Sequence, residues 1–213
     1  INIFSNFMQI NLMNDYFVKG LYSEDVFYVL AEKNDSRVAI VSGLYGILLI
    51  SSYFLIGRWL FVSSKINHLM GVKGLNISPG WSVGWYFIPF ANIVMPYRSL
   101  KETFKASFNS EEWQNNKVPY DFPIWWATWL MGNFTASTSI RMSQALGETY
   151  TYEDLNQISY IDMVGDVLLI VNAIFLLRII NIMLKNGYVF ANSSKKELSK
   201  FDLNYAHQAP ILL

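Results

Sequence analysis

Residues 38–62, VAIVSGLYGILLISSYFLIGRWLFV, carry a single charge, Arg58, in a run otherwise apolar or small. No other feature restricts the fold of this chain as much. A helix rises about 1.5 Å per residue, so about twenty such residues cover the roughly 30 Å hydrocarbon layer of a bilayer. In lipid every backbone N–H and C=O must be bonded internally, and a lone segment achieves that only as a helix. The run predicts a membrane span, with Arg58 near one end extending its charged head to the interface. The competing reading is a helix buried in a soluble protein. It needs the rest of the chain to supply a water-facing coat.

The composition withholds that coat. Of 213 residues, 53% are hydrophobic and 15% charged, against about 25% charged in a soluble domain. The deficit falls in long windows. The expectation is an all-α, polytopic transmembrane protein with one helical domain over residues 1–190 and a polar tail over 191–213. Residues 1–18 read as the outgoing end of a truncated first span, since the chain begins with Ile1. Residues 123–143 follow Pro123, which suits a helix start. They place Trp125, Trp126 and Trp129 at one end, where an aromatic belt belongs. Residues 158–184 form a last span holding Asp162, Asp166 and Arg178. Ser23 before Glu24 and Asp25 marks one helix start, and Thr151 with Asp154 another.

Residues 78–98, SPGWSVGWYFIPFANIVMPYR, are aromatic and uncharged up to Arg98. From Trp81 to Tyr97 the chain would reach about 25 Å as straight helix, short of a comfortable crossing. Pro89 removes a helical hydrogen bond in the middle. The segment is either a broken span or a re-entrant loop, and its length and prolines lean towards the loop. Residues 98–113 place Leu100, Phe104 and Phe108 at four-residue spacing, which predicts an amphipathic helix at the membrane interface.

Basic residues indicate sidedness. Arg98, Lys101, Lys105 and Lys117 lie between the segment and the third span, and Lys185, Lys195, Lys196 and Lys200 follow the last span. The loop 144–157 has no Lys or Arg. Residues 98–122 and the C-terminus are therefore expected in the cytoplasm. The earlier loops divide their charges evenly and do not say whether 81–97 crosses.

The formal net charge is zero, so nothing suggests nucleic acid. The absence of cysteine excludes disulfides, thiolate zinc sites and cysteine nucleophiles, and only His68 and His207 are available as imidazole ligands. No metal or cofactor is expected.

The stretch NHLMGVKGLNISPGWSVGWYFIPFANIVMPYRSLKETF has an unusual spacing of Asn67, Ser78, Gly80, Trp81, Gly84, Phe87, Pro89, Asn92, Pro96 and Tyr97. It resembles the central motif of the bacterial membrane family catalogued as domain of unknown function 4328. The Trp-rich WWATWLMGNFTASTSIRMS is similar to that family's penultimate helix. The likeness covers roughly residues 10 to 190. It implies a multi-span protein of the bacterial inner membrane and carries no catalytic residues.

Polar groups inside a membrane segment are candidates for function. Asn133, Ser137 and Arg141 share one helical stripe, and Asp162 and Asp166 another. Across a short loop the two helices run antiparallel, which predicts an Arg141–Asp162 ion pair and an Asn133–Asn172 hydrogen bond. Gly132 and Ala136 form a small-residue patch suited to close helix contact. The leading expectation is a non-enzymatic scaffold or accessory subunit of a larger membrane complex, with membrane lipids and other subunits as partners. The alternative is a small transporter or channel using Asp162, Asp166 and Asn92 as an ion path. A lipid-processing enzyme would draw on His68, Glu102, Glu111 and Glu112, whose spacing says little.

Overall fold

A computed structural model describes residues 1–108, 112–146 and 151–193. Among these residues the secondary structure is helical, without strands. The helices are α1 (Asn2–Phe17), α2 (Glu24–Leu69), α3 (Pro79–Gly84), α4 (Met95–Ala106), α5 (Asp121–Ala145) and α6 (Tyr152–Ser193). Glu111 and the tail beyond Ser193 lie outside the described residues. Two of the helices, α2 and α6, are long and apolar enough to cross a membrane. None of the most apolar stretch of α2 is buried, and 28% of that of α6 is.

The helix ends follow local chemistry. α2 begins after Ser23, whose carbonyl accepts the Phe27 N–H at 2.9 Å. It runs unbroken through the polar residues 24–37, about four turns more than the apolar run alone. At its far end Gly71 adopts φ +74°. The Val72 N–H then reaches the Asn67 carbonyl at 3.2 Å, and the Gly71 N–H reaches that of His68 at 3.1 Å. This is a Schellman stop, which needs a left-handed residue that glycine supplies without strain. At the start of α6, the Thr151 N–H and hydroxyl donate to the Asp154 carboxylate, each at 2.9 Å. The Asp154 N–H donates back to the Thr151 hydroxyl at 3.3 Å. The exchange is the reciprocal capping box that the spacing predicts.

The chain forms two compact units, Ile1–Ser51 with Ala127–Asn172, and Ser52–Trp126 with Ala173–Leu213. In the first unit α1 and α2 run antiparallel. Tyr16 stacks on Phe27 at 3.8 Å, and farther along Arg37 donates to the Ser5 carbonyl at 2.9 Å. Helices α5 and α6 are also antiparallel, with Thr128 bonded to Asn172, Gly132 against Leu168, and Thr135 against Gly165. A Cβ on Gly165 would lie 2.9 Å from the Thr135 hydroxyl, so only glycine permits this approach.

Burial in this unit is inverted. Among its described residues Ser5, Asn6, Asn34, Ser139, Ser159, Asp166 and Asn172 are buried, with only Ile10 and Met13 as large apolar companions. Ile40, Leu44, Ile47, Leu48 and Ile50 face outwards on α2, as do Met131, Phe134 and Ile140 on α5.

The second unit has an ordinary apolar core of Trp59, Leu60, Leu100, Phe104, Phe122, Trp125, Leu176 and Ile179. Its composition corrects the expected interfacial helix. α4 ends at Ala106, and its apolar face is covered by protein: Leu100 and Phe104 are each 1% exposed. Burial of such a side chain is worth about 1.5–3 kcal/mol relative to water, and the aromatic wall of Phe122 offers it directly.

Residues 81–97 form a closed excursion. α3 passes into a 3-10 turn, Trp85–Phe87, and a second turn, Ala91–Ile93, leads into α4. The Ser99 hydroxyl donates to the Ser82 carbonyl at 3.3 Å, with both residues fully buried. Just outside the segment, Glu102 accepts the backbone N–H of Asn76 at 3.1 Å and of Ile77 at 2.9 Å. The entry and exit of the segment are therefore tied together. Gly84 leaves room for the Trp81 ring folded over it, since a Cβ there would sit 3.0 Å from the ring and push it aside.

Candidate functional site

The polar interior of the first unit is the place where chemistry could reside. Its framework is set by α1, where Asn2, Asn6, Ile10 and Asn14 recur every four residues and form one stripe. The Asn2 amide donates to Asp166 at 2.9 Å, and at the other end Asn156 donates to Asn14 at 3.3 Å. Asn6, one turn from Asn2, is 7% exposed, and its amide nitrogen is buried without a hydrogen-bond partner.

Arg37 enters the same interior from α2. One terminal nitrogen donates to Asn34 at 2.6 Å and to the Ser5 carbonyl at 2.9 Å. Its Nε is buried and unbonded. Beside Asp166 a groove of about 220 Å³ is lined by Asn2, Val41, Leu44, Leu48 and Leu169, so one carboxylate faces apolar walls.

The two expected interhelical pairs are not formed. Asn133 is exposed and its amide donates to the Trp129 carbonyl of its own helix at 2.8 Å. Asn172 instead donates to Thr128 at 3.3 Å. The reason is register. Thr128–Asn172 and Thr135–Gly165 fix the helix alignment, and Asn133 falls five residues out of it, about 7.5 Å along the axis. Arg141 is exposed and makes no ion pair with half-buried Asp162, which lies three residues out of the same register.

The stripe Asn133, Ser137 and Arg141 has the right period and faces outwards. The inward face is Thr128, Gly132, Thr135 and Ser139. Gly132 of the small-residue patch packs on Leu168 with room for a Cβ at 4.0 Å, while Ala136 is exposed. Asp162 and Asp166 belong to the first unit and Asn92 to the second. The Asn92 backbone N–H bonds the Ile88 carbonyl at 3.0 Å within the closed segment.

The described ion pair inside a hydrophobic helix lies elsewhere. Arg178 Nε is 2.7 Å from Asp121 Oδ1 in the second unit. Asp121, Asn2 and Arg37 were not singled out by sequence, and Asn67 and Glu102 were named there without the Thr103 carbonyl and the Asn76 and Ile77 N–H groups that they bond. A four-residue asparagine period and a lone arginine at the edge of an apolar run are signals that could have found Asn2 and Arg37. The groups available to a lipid enzyme are occupied structurally. Glu102 clamps the 76–77 backbone, His68 Nδ1 lies 2.9 Å from the Ser64 carbonyl, and Glu112 accepts from Asn115 at 3.3 Å. Among the described residues no three His, Cys, Asp or Glu side chains gather as metal ligands.

These features define an all-helical protein with two helices apolar enough to cross a membrane and a polar interior between outward apolar faces. The chain belongs to the family described as Domain of unknown function (DUF4328), which matches residues 23–184. No curated protein and no solved structure matches it.

Proposed function

We propose that this chain is a polytopic protein of the bacterial inner membrane that serves as a scaffold or accessory subunit of a larger membrane complex, without catalytic activity of its own. The observation that carries the reading is the inverted burial of the first unit. A water-soluble fold hides its large apolar side chains, whereas this unit hides amides, a carboxylate and hydroxyls. In lipid, helix association relies on close packing of small residues and on interhelical hydrogen bonds, as at Gly165–Thr135 and Asn172–Thr128. Outward hydroxyls are bonded to their own helices, Ser51 to Ile47 and Ser137 to Asn133, each at 2.8 Å. A polar side chain in hydrocarbon is satisfied in this way.

The proposed topology follows from the same packing. Phe17 stacks on Tyr152 at 5.0 Å, so the α1–α2 connection and the start of α6 share one face. That face is periplasmic if the basic residues of 98–122 are cytoplasmic. α2 then crosses to the cytoplasm, α5 and α6 cross back and forth, and residues 81–97 return to the side they left. The tie between Ser82 and Ser99 supports a re-entrant segment. A cysteine at Ser23, in a chain with no other, reports the side: periplasmic labelling agrees, and cytoplasmic labelling requires that 81–97 cross.

Gentle purification from native membranes tests the function. Stoichiometric, heterologous membrane partners support the scaffold. A second reading, a small transporter, is favoured by Asp166, held by the Asn2 amide beside a groove with mostly apolar walls. It requires ion flux in liposomes that Asp166→Asn abolishes. A compact, monodisperse particle in detergent-free buffer would overturn both readings.

A further inference from the structure

The turn at the tip of the 81–97 excursion holds a conformation that its residue does not favour. Phe90 has φ +64° and ψ −42°, and among the described residues it is the non-glycine with positive φ. The Ala91 N–H bonds back to the Pro89 carbonyl at 2.8 Å. Phe90 therefore centres a γ-turn of the rare, strained hand. Glycine would occupy this position without strain. A bulky aromatic persists in such a turn when its surroundings hold it there, and among the described residues little covers this ring. Phe90 is 86% exposed and Phe87 81%. Trp81, Ile93 and Val94 extend the apolar surface.

Four successive N–H groups after the tip are bonded within the segment. Pro89 has no N–H. The N–H groups of Ala91, Asn92, Ile93 and Val94 bond the carbonyls of Pro89, Ile88, Phe90 and Ala91 at 2.8–3.2 Å. A loop that faces water can form such bonds and can also do without them. A loop that enters hydrocarbon must satisfy them internally. Between Ser78 and Tyr97 no side chain is charged, and exposed Arg98 stands at the exit, where an anionic headgroup would lie.

We propose that this tip is a lipid-binding wedge: Phe87, Pro89 and Phe90 seat among the acyl chains of one leaflet, the cytoplasmic one, with Arg98 at its headgroup level. The strained turn holds the Phe90 ring outwards, away from its own core. The inference rests on the membrane reading above, and the experiment separates the two.

Because the chain lacks cysteine, nitroxide labels can be placed singly at Phe90→Cys, Phe87→Cys, Lys73→Cys and Ile50→Cys. Ile50 is an outward residue of α2, 71% exposed. Each variant is reconstituted in phosphatidylethanolamine–phosphatidylglycerol vesicles, and its collision with oxygen and with a water-soluble nickel chelate is measured. The expected oxygen-to-nickel accessibility ratio at positions 87 and 90 exceeds that at position 73 several-fold and lies below that at position 50, the midpoint of the apolar run. Nickel access at 87 and 90 with none at 50 overturns the wedge and leaves the membrane reading standing. Shielding of 87 and 90 from both reagents means that protein covers the tip, and also overturns it. Nickel access at 50 removes the membrane reading and the wedge together. If Phe90→Cys does not fold, Phe87→Cys, in an ordinary 3-10 turn, decides alone.

Discussion

The Arg178–Asp121 pair should fail asymmetrically. The Asp121 side chain is 8% exposed and that of Arg178 63%. Removing one member of a fully buried pair costs about 3–5 kcal/mol, because an unpaired charge stays behind. Arg178→Gln leaves the buried carboxylate of Asp121. The open side of the pair screens it, and its place in the first turn of α5 lets the helix N-terminus favour its charge. These two effects reduce the loss to about 2 kcal/mol. Asp121→Asn leaves an arginine that is already mostly exposed. Its loss is about 1 kcal/mol or less, the worth of an ion pair open to solvent on one side. The gap of about 1 kcal/mol corresponds to roughly fivefold in the unfolding constant. The double variant should lie near Asp121→Asn alone, since no buried charge remains. Reversible unfolding by dodecyl sulfate in mixed micelles, followed by far-UV circular dichroism, measures all three. The reasoning is refuted if Arg178→Gln is no more harmful than Asp121→Asn, or if the double variant is as unstable as Arg178→Gln.

Other consequences follow from single contacts. Gly165→Val forces a branched side chain against Thr135 and should cost about 1–3 kcal/mol. Thr135→Ala in the same chain should recover part of it, and an identical loss in both backgrounds would disprove the contact. Glu102→Ala removes the acceptor of the Asn76 and Ile77 N–H groups, at about 1–3 kcal/mol. Amide exchange should quicken at those two residues, and unchanged protection there would count against the clamp. The Asp154 carboxylate is held below its ordinary value of 3.8 by the Thr151 backbone N–H and then by its hydroxyl. Its folded form is therefore the more acidic, so the cap is intact above about pH 4 and is lost as pH falls through the depressed folded value. Exchange at the first turn of α6 should rise in that window and stay flat in Asp154→Asn; a flat wild-type profile would exclude the cap.

The helices were legible where one periodicity or one cap decides them. The apolar run 38–62, with its single charge, announces α2, Ser23 its beginning, and Thr151 with Asp154 the beginning of α6. Each signal is local, so each survives without knowledge of tertiary structure. The amphipathic helix was read correctly as a helix and assigned to the wrong surroundings. Leu100 and Phe104 need an apolar neighbour, and the pattern cannot distinguish acyl chains from Phe122. The closure of 81–97 was only half legible, because Pro89 and the short length argue against a span. The tie itself depends on Ser82 and Ser99, small residues with no periodic signal.

The polar interior shows why periodicity finds stripes and not partners. A helix repeat puts Asn133, Ser137 and Arg141 on one side, but it does not say whether that side faces a neighbour. What decides is steric: two helices approach where one offers glycine and the other a small hydroxyl, at Gly165 and Thr135. Once that contact is fixed, every other pairing follows from the rise per residue. Thr128 receives Asn172, and Asn133 is left to bond its own helix. A glycine on α6 with no turn to make was therefore the stronger clue to the register. Matching charged residues by depth could not reveal it, since a three-residue slip, about 4.5 Å, already separates Arg141 from Asp162. The asparagines of α1 obey the same logic. Their four-residue period is what a helix needs to reach Asp166 and Asn156 from one face, so α1 completes the polar interior that α5 and α6 only begin.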